Sequence, residues 1–465
     1  MQQAIAIEQQ LARHAATLTW EQLPLGARRQ AIRATLWWTA TALEGSLDAQ
    51  QEQLRAYALR TSASPEATIL GGRSRVLAEF AGLVNGRAGK AMEREDKYMV
   101  DEAIGFAIGC AVVPAAVALS QARLNGPVSG TDLLTAVSLG VDVEARLVRA
   151  VGLGFMPGRT AANATFAMGT YGAATAAGKI LGLNELQMLD AWGLAHGQAA
   201  GNFQGQVEGR GVAVQCGFAV RNGVVAAKLA AVGIEGPHNF ISGRAGLYEV
   251  HFPASQPELS TIIERLGSYH PIVDLAFKRY PCGIVAHPAV GGVIALRNQM
   301  RRPGDIAAIK VVGPRSLSIM AEPLPAKQSP GSPVEAQFSI PWAVACAARD
   351  GDLMVDHYSV DAIGDPALRQ LATCVDVELR DVEATVVSLT THDGTTIVGE
   401  PVRWAEGHPS KPLSTHIMEQ LFLSAAHRAM IPEGQAQEAL DRLKALDAET
   451  DIDEVFSLLG GPLGS

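Results

Sequence analysis

Between Val151 and Gly223 the chain is dense in glycine, and Gly193, Gly197, Gly201, Gly205 and Gly209 recur at every fourth position. On a helix that spacing lays the glycines along one stripe, where a second backbone can come close. Each glycine inside a helix costs roughly 0.5–1 kcal/mol relative to alanine, so five in register demand a return from close packing. The stretch predicts a tightly packed helical core. His196, Gln198, Asn202, Gln204 and Gln206 sit among these glycines. Such side chains are expensive to bury without partners, so either they line a wet cavity or they satisfy one another.

Immediately upstream, Gly154-Phe155-Met156-Pro157-Gly158-Arg159-Thr160 leads into an alanine-rich segment of helical texture. A helix start beside an arginine is a ready anion site, which makes Arg159 a candidate for holding a substrate carboxylate. The chain has 465 residues, 48% of them hydrophobic, enough to bury one large core or two ordinary ones. Its net charge is −9 and its basic residues are scattered, which argues against nucleic acid or an anionic membrane as partner. A small-molecule ligand is expected. The five cysteines are odd in number and widely spaced, with no CxxC or CxxxH pattern, so they predict buried free thiols and no metal site. With neither a basic-then-apolar leader at Met1–Glu8 nor a run of 18 apolar residues, the expectation is a cytoplasmic protein.

Helical periodicity runs through residues 4–17 and 28–45, and the segments 76–84 and 103–118 are strongly apolar. Between the last two, Lys90-Ala91-Met92-Glu93-Arg94-Glu95-Asp96-Lys97-Tyr98 opens the most charged short segment of the chain. Mixed charge runs are usually solvated helix faces, but this one interrupts two segments that look buried, so some of its charges must approach the core. Asp96 and Tyr98 are candidates for general acid–base work, and Lys97 for binding an anionic substrate.

Helices continue through 132–151 and on to 231, with few β signals before residue 250. After Pro271 the texture changes. Residues 305–312, 375–379, 384–390 and 395–398 read as strands, with Asp393-Gly394 at a hairpin turn and helices at 284–299 and 339–350. Helix resumes at 414–429 and 435–445. The predicted fold is mainly α: an all-α domain built from residues 1–268 and 401–465, with a smaller α+β lid domain, 269–400, inserted between them. Inserted modules of that kind commonly cover a site at the interface.

Several separated blocks then carry a resemblance. They include Ala67-Thr68-Ile69-Leu70-Gly71, Gly178-Lys179-Ile180-Leu181-Gly182-Leu183, Gly193-Leu194-Ala195-His196-Gly197-Gln198, Phe277-Lys278-Arg279-Tyr280-Pro281-Cys282 with His287-Pro288, Glu335-Ala336-Gln337-Phe338-Ser339-Ile340-Pro341 and Lys411-Pro412-Leu413-Ser414. In order and spacing the chain resembles the MmgE/PrpD family, which includes 2-methylcitrate dehydratase, cis-aconitate decarboxylase and iminodisuccinate epimerase. The resemblance implies a homodimer with a site at the domain interface and no metal or organic cofactor. It also exposes departures. Family decarboxylases and dehydratases carry a histidine at the position of Met156, a Lys-Arg pair at Val212-Ala213 and a threonine at Lys97, and decarboxylases carry a second histidine at Gly283.

Family chemistry starts at a carbon next to a carboxylate, so the expected substrate is a small di- or tricarboxylate. Lys278, beside Arg279, is the candidate base, since desolvation or a neighbouring cation can bring a lysine pKa toward neutrality. Arg159, Lys97, Arg279 and His287 are candidate substrate contacts, with Gln204 as a neutral hydrogen-bond partner; for His287, before Pro288 in an apolar segment, a satisfied core histidine is the stronger reading. Asp96 and Tyr98 would form the acid facing Lys278. Loss of the family histidine favours epimerisation over dehydration, with a rearranged dehydratase or a catalytically silent member as the alternatives.

Overall fold

The computed structural model describes residues 6–72, 74–100, 105–152, 160–300 and 305–460, and the chain is mainly α-helical. In chain order the first helices are α1 (Ile7–Thr17), α2 (Leu25–Gly45), α3 (Gln51–Thr61), α4 (Ala78–Ala91), α5 (Gly109–Ala122), α6 (Gly130–Val151), α7 (Ala164–Ile180), α8 (Glu185–His196), α9 (Gln204–Glu208) and α10 (Val212–Ala231). Local signals set their starts. Ser129 caps α6 by accepting from the Asp132 N–H, Asn163 caps α7, and Asn184 with Gln187 forms a capping box on α8.

Nearly every residue of α7 is buried, because α5, α6, α8 and α10 surround it. Two apolar cores result. One gathers side chains from Leu11 to Phe277 and again from Leu413 to Leu459, so both ends of the chain contribute to it. The other runs from Tyr280 to Leu389 and belongs to the smaller α+β module. In that module strand β6 (Ile306–Pro314) is central: it pairs in parallel with β7 (Val375–Arg380) and antiparallel with β8 (Val386–Thr391), which carries β9 (Thr396–Val398) at the edge.

Three sequence expectations change. The glycine stripe from Gly193 to Gly209 is not one helix: α8 ends at His196, Gly197 follows as its cap, and Gly209 takes a left-handed turn (φ 66°) after the short α9. Most of its polar residues are bonded to the backbone or to other side chains. His196 bonds the Tyr171 hydroxyl at 2.8 Å and the Ala245 carbonyl at 2.9 Å, and Asn202 accepts from the Gln204 N–H at 3.0 Å. The close helix approach lies instead between α4 and α10, where a Cβ on Gly86 would fall 2.6 Å from Val220 and 3.3 Å from the Gly217 Cα.

Secondly, strands do occur before residue 250. Besides the pair β1 (Ala67–Thr68) and β2 (Arg75–Val76), β3 (Asp96–Met99) lies between β4 (Gly105–Phe106) and β5 (Leu275–Phe277), with Asp96 opposite Phe277 and Tyr98 opposite Leu275. Thirdly, the charged run is no solvated helix face: Lys90, Glu93, Arg94, Glu95 and Asp96 are all buried. Four residues were too short a strand to show an alternation against so many charges.

Because α4 and α10 meet through glycine, their adjacent ends, Lys90 and Val212, are held close together. A methyl on Gly217 would collide with the Leu83 carbonyl, which is backbone and cannot rotate away. Gly217→Ala is expected to lower stability by about 1–3 kcal/mol through overpacking, read as a shifted urea midpoint at unchanged slope.

Candidate active site

Helix α4 ends at Ala91, and two residues later Glu93 adopts a left-handed backbone (φ 51°), a position that glycine usually fills after a helix. Such a conformation costs a non-glycine residue on the order of 1 kcal/mol or more, and where it occurs other contacts must impose it. Here those contacts are ionic. The Lys278 ammonium donates to Glu93 Oε1 at 2.6 Å, to Glu95 Oε1 at 2.9 Å and to the Glu93 carbonyl at 3.0 Å. Lys90 donates to the other Glu93 oxygen and lies 3.3 Å from Glu95 Oε1, while Lys97 reaches the same Glu95 oxygen at 3.0 Å. Three lysines thus face two glutamates in a nearly sealed space.

Burial disfavours every charge in this cluster, and the pairing decides which survive. At Lys90 burial would depress the pKa, but Glu93 and Glu95 outweigh it and lift it above the usual lysine value. At Lys278, wholly buried, the same desolvation wins over both glutamates, with Lys97 and Lys90 adding repulsion, so its pKa is lowered. Burial would raise Glu93 and Glu95, yet the lysines hold both below the ordinary carboxylate range. The proton most easily surrendered is the one on Lys278.

The cluster opens on a cavity of 240 Å³ through Lys90 and Glu93. Its floor is the end of α4 and the loop at Asp48–Gln50, one wall is Gly209–Val214 at the start of α10, and the other wall comes from Pro333, Val334, Gln337 and Phe338 of the smaller module. Both cores therefore contribute to it. Beside Phe338, a Cβ on Gly283 would meet the Met320 sulfur and stand 3.5 Å from the Phe338 ring, so a side chain there would need Met320 to move. Among the described residues no group of three or more His, Cys, Asp or Glu side chains could hold a metal ion.

The other candidates are dispersed. Asp96 is buried behind the cluster, where its Oδ2 accepts from the Gly109 N–H at 3.0 Å and so caps α5; burial, partly offset by that bond, raises its pKa to about 6. Tyr98 does not face Lys278: its hydroxyl environment is Tyr269 and Asp274, and burial raises its pKa. Gln204 is exposed and bonds Glu208 on its own short helix. Arg279 pairs with Asp352 at 2.9 Å and lies over the Tyr280 ring, away from the cavity. His287 lines a second hollow of 170 Å³ between Phe277 and Trp404; burial, then the Lys278 charge, presses its pKa down to about 3, so it is neutral. Arg159 lies outside the described residues.

Sequence reasoning thus brought Lys278 and Lys97 into the cluster and missed Lys90, Glu93 and Glu95 as its members. The signal was present in the charged run between two apolar helices, but only β3 and β5, 180 residues apart in sequence, bring Lys278 onto it.

A helical body and a smaller α+β module thus meet around a buried lysine–glutamate cluster and a small cavity. The MmgE/PrpD N-terminal domain matches residues 9–260 and the MmgE/PrpD C-terminal domain residues 280–446. The chain belongs to the MmgE/PrpD family. It is 26% identical over 400 residues to cis-aconitate decarboxylase of Homo sapiens, covering 82% of this chain and 79% of that one. To cis-aconitate decarboxylase of Aspergillus terreus it is 26% identical over 387 residues, covering 76% of each. The kinship is therefore with lyases.

Removing one partner of a buried ion pair costs about 3–5 kcal/mol, and Lys278→Met should lose that much stability, while Arg279→Gln should stay within about 0.5 kcal/mol, both by urea denaturation. Folding raises the Asp96 pKa from 3.8 to about 6, so the folded state keeps a proton that the unfolded state loses, and this group's contribution to stability falls as pH rises from 4 to 6. Asp96→Asn keeps an acceptor for the Gly109 N–H and removes the titration. Relative to wild type it should gain on the order of 3 kcal/mol between pH 4 and pH 7, by denaturation at each pH.

Proposed function

We propose that this chain is a cofactor-independent lyase or isomerase acting at the carbon next to a carboxylate of a small di- or tricarboxylate. The observation that carries the reading is Glu93, whose carboxylate stands between the cavity and the depressed Lys278 amine. Lys278, whose pKa burial lowers, is the proton acceptor in its deprotonated form. Glu93 takes the substrate proton on its cavity side and passes one to Lys278 from the other oxygen, while Lys90 stays charged and stabilises the negative charge that develops on the substrate.

The site supports one-base chemistry best. Two-base epimerisation, expected from the sequence, needs a second acid across the cavity, and among the described residues that side offers aliphatic side chains, Phe338, the Gln337 amide and Arg210, none of them an acid. A decarboxylase of the relatives' kind is less well supported, because Met320 and Phe338 occupy the room beside Gly283 where such enzymes carry a histidine. The homodimer is likewise a proposal, carried by the resemblance and by Phe218, Leu229 and Val232, left exposed along α10 and just beyond its end.

Nuclear magnetic resonance of small di- and tricarboxylates in deuterated water tests the reading. Wild type should wash deuterium into the position next to a carboxylate or release an alkene. Glu93→Gln should slow this by at least about 100-fold, the usual worth of a positioned acid–base group. Unchanged exchange in that variant would remove Glu93 from the chemistry.

A further inference from the structure

The cavity wall carries one cation that no described carboxylate neutralises. Arg87 is taken by Asp48 and by Gln51 Oε1 at 2.7 Å, and Lys90 by Glu93 and Glu95. Arg210, facing them across the cavity, makes no side-chain hydrogen bond or ion pair with any described residue. Its backbone is nevertheless fixed. Gly209 and Gly211 on either side are both left-handed (φ 66°), and the Arg210 N–H donates to the Gly205 carbonyl at 2.8 Å. A Cβ on Gly209 would come 3.0 Å from the Ser332 hydroxyl, so this loop abuts the smaller module.

Charge and polarity are unevenly distributed around the hollow. The cluster behind Glu93 sets three lysines against two glutamates, and of the three it is Lys90, whose pKa its pairing raises, that lines the cavity. Arg210 adds a second positive point. Between them the lining is mostly hydrocarbon, from Val212, Val214, Pro333, Val334 and Phe338, and the Gln337 amide beside them already donates to the Ala91 carbonyl at 3.3 Å. Hydrocarbon of that extent cannot satisfy a third carboxylate, whose burial without a partner is costly.

We infer that the cavity selects a short dicarboxylate bearing an alkyl arm, with one carboxylate held by Arg210, the other drawn to Lys90, and the arm packed on Val212, Val334 and Phe338. The inference rests on the catalytic reading above and names its substrate class. Arg210 is a binding residue. Its guanidinium supplies two parallel donors to a carboxylate, which a lysine cannot reproduce.

Calorimetric titration with succinate, 2-ethylsuccinate and succinamide tests this without turnover. Wild type is expected to bind 2-ethylsuccinate more tightly than succinate, by about fourfold for each methylene fully buried, and succinamide not measurably. Arg210→Gln, at an exposed position that should not disturb folding, should weaken both acids by about tenfold or more while keeping their ratio, and Arg210→Lys should restore part of the loss. Equal affinity of wild type and Arg210→Gln, equal affinity for the two acids, or no saturable binding by wild type would each overturn the inference. A chain that binds as expected but never exchanges protons sinks the catalytic reading alone. A chain that exchanges protons while Arg210→Gln leaves affinity unchanged sinks this one alone.

Discussion

One carboxylate oxygen, Glu95 Oε1, receives three lysine ammonium groups: Lys90 from the end of α4, Lys97 from β3 and Lys278 from the residue after β5. Taking each charge out of water costs several kcal/mol, and the attraction among them repays it only when the geometry is tight. The surrounding structure supplies that geometry. The glycine contact of α4 with α10 sets where Lys90 ends, the β3–β5 pairing sets Lys278 opposite Glu95, and Asp96 ties β3 to the start of α5. The junction between the two apolar cores is therefore electrostatic where it could have been hydrocarbon.

That choice has a functional consequence. A hydrophobic junction would be more stable and chemically inert, whereas an excess of lysine over glutamate in low dielectric lowers the pKa of one amine, Lys278. The left-handed Glu93 marks the same place. There a strained carboxylate residue is held by ions on one side and open to a cavity on the other. Nearby the lining is apolar: Val212 and Ala213 line the cavity, and the Met320 sulfur lies against Gly283.

Glu144 shows the same tolerance elsewhere. It is fully buried on α6, neither of its oxygens has a hydrogen-bond partner among the described residues, and burial raises its pKa far above the usual carboxylate value. Gly169 and Gly172 on α7 make the space it occupies. A neutral carboxylic acid in the centre of the helical body is affordable only because the packing around it is otherwise apolar and dense.

Local rules read from the sequence alone located most of the longer elements. Periodicity and caps placed α2, α6 and the helix Thr415–Arg428 within a few residues, and alternation with Asp393-Gly394 placed β6 to β9, because the spacing of side chains along a chain is a local property. Lys278 and the charged run beginning at Lys90 were also visible as residues of interest. Their meeting was not. Which glycines lie at a helix contact, that Asp96 caps α5 and Tyr98 turns away, and that Arg210 rather than Gln204 faces the cavity follow from contacts between segments far apart in sequence. No local pattern encodes these, and only the packed chain determines whether a charge meets water, a counter-ion or another helix.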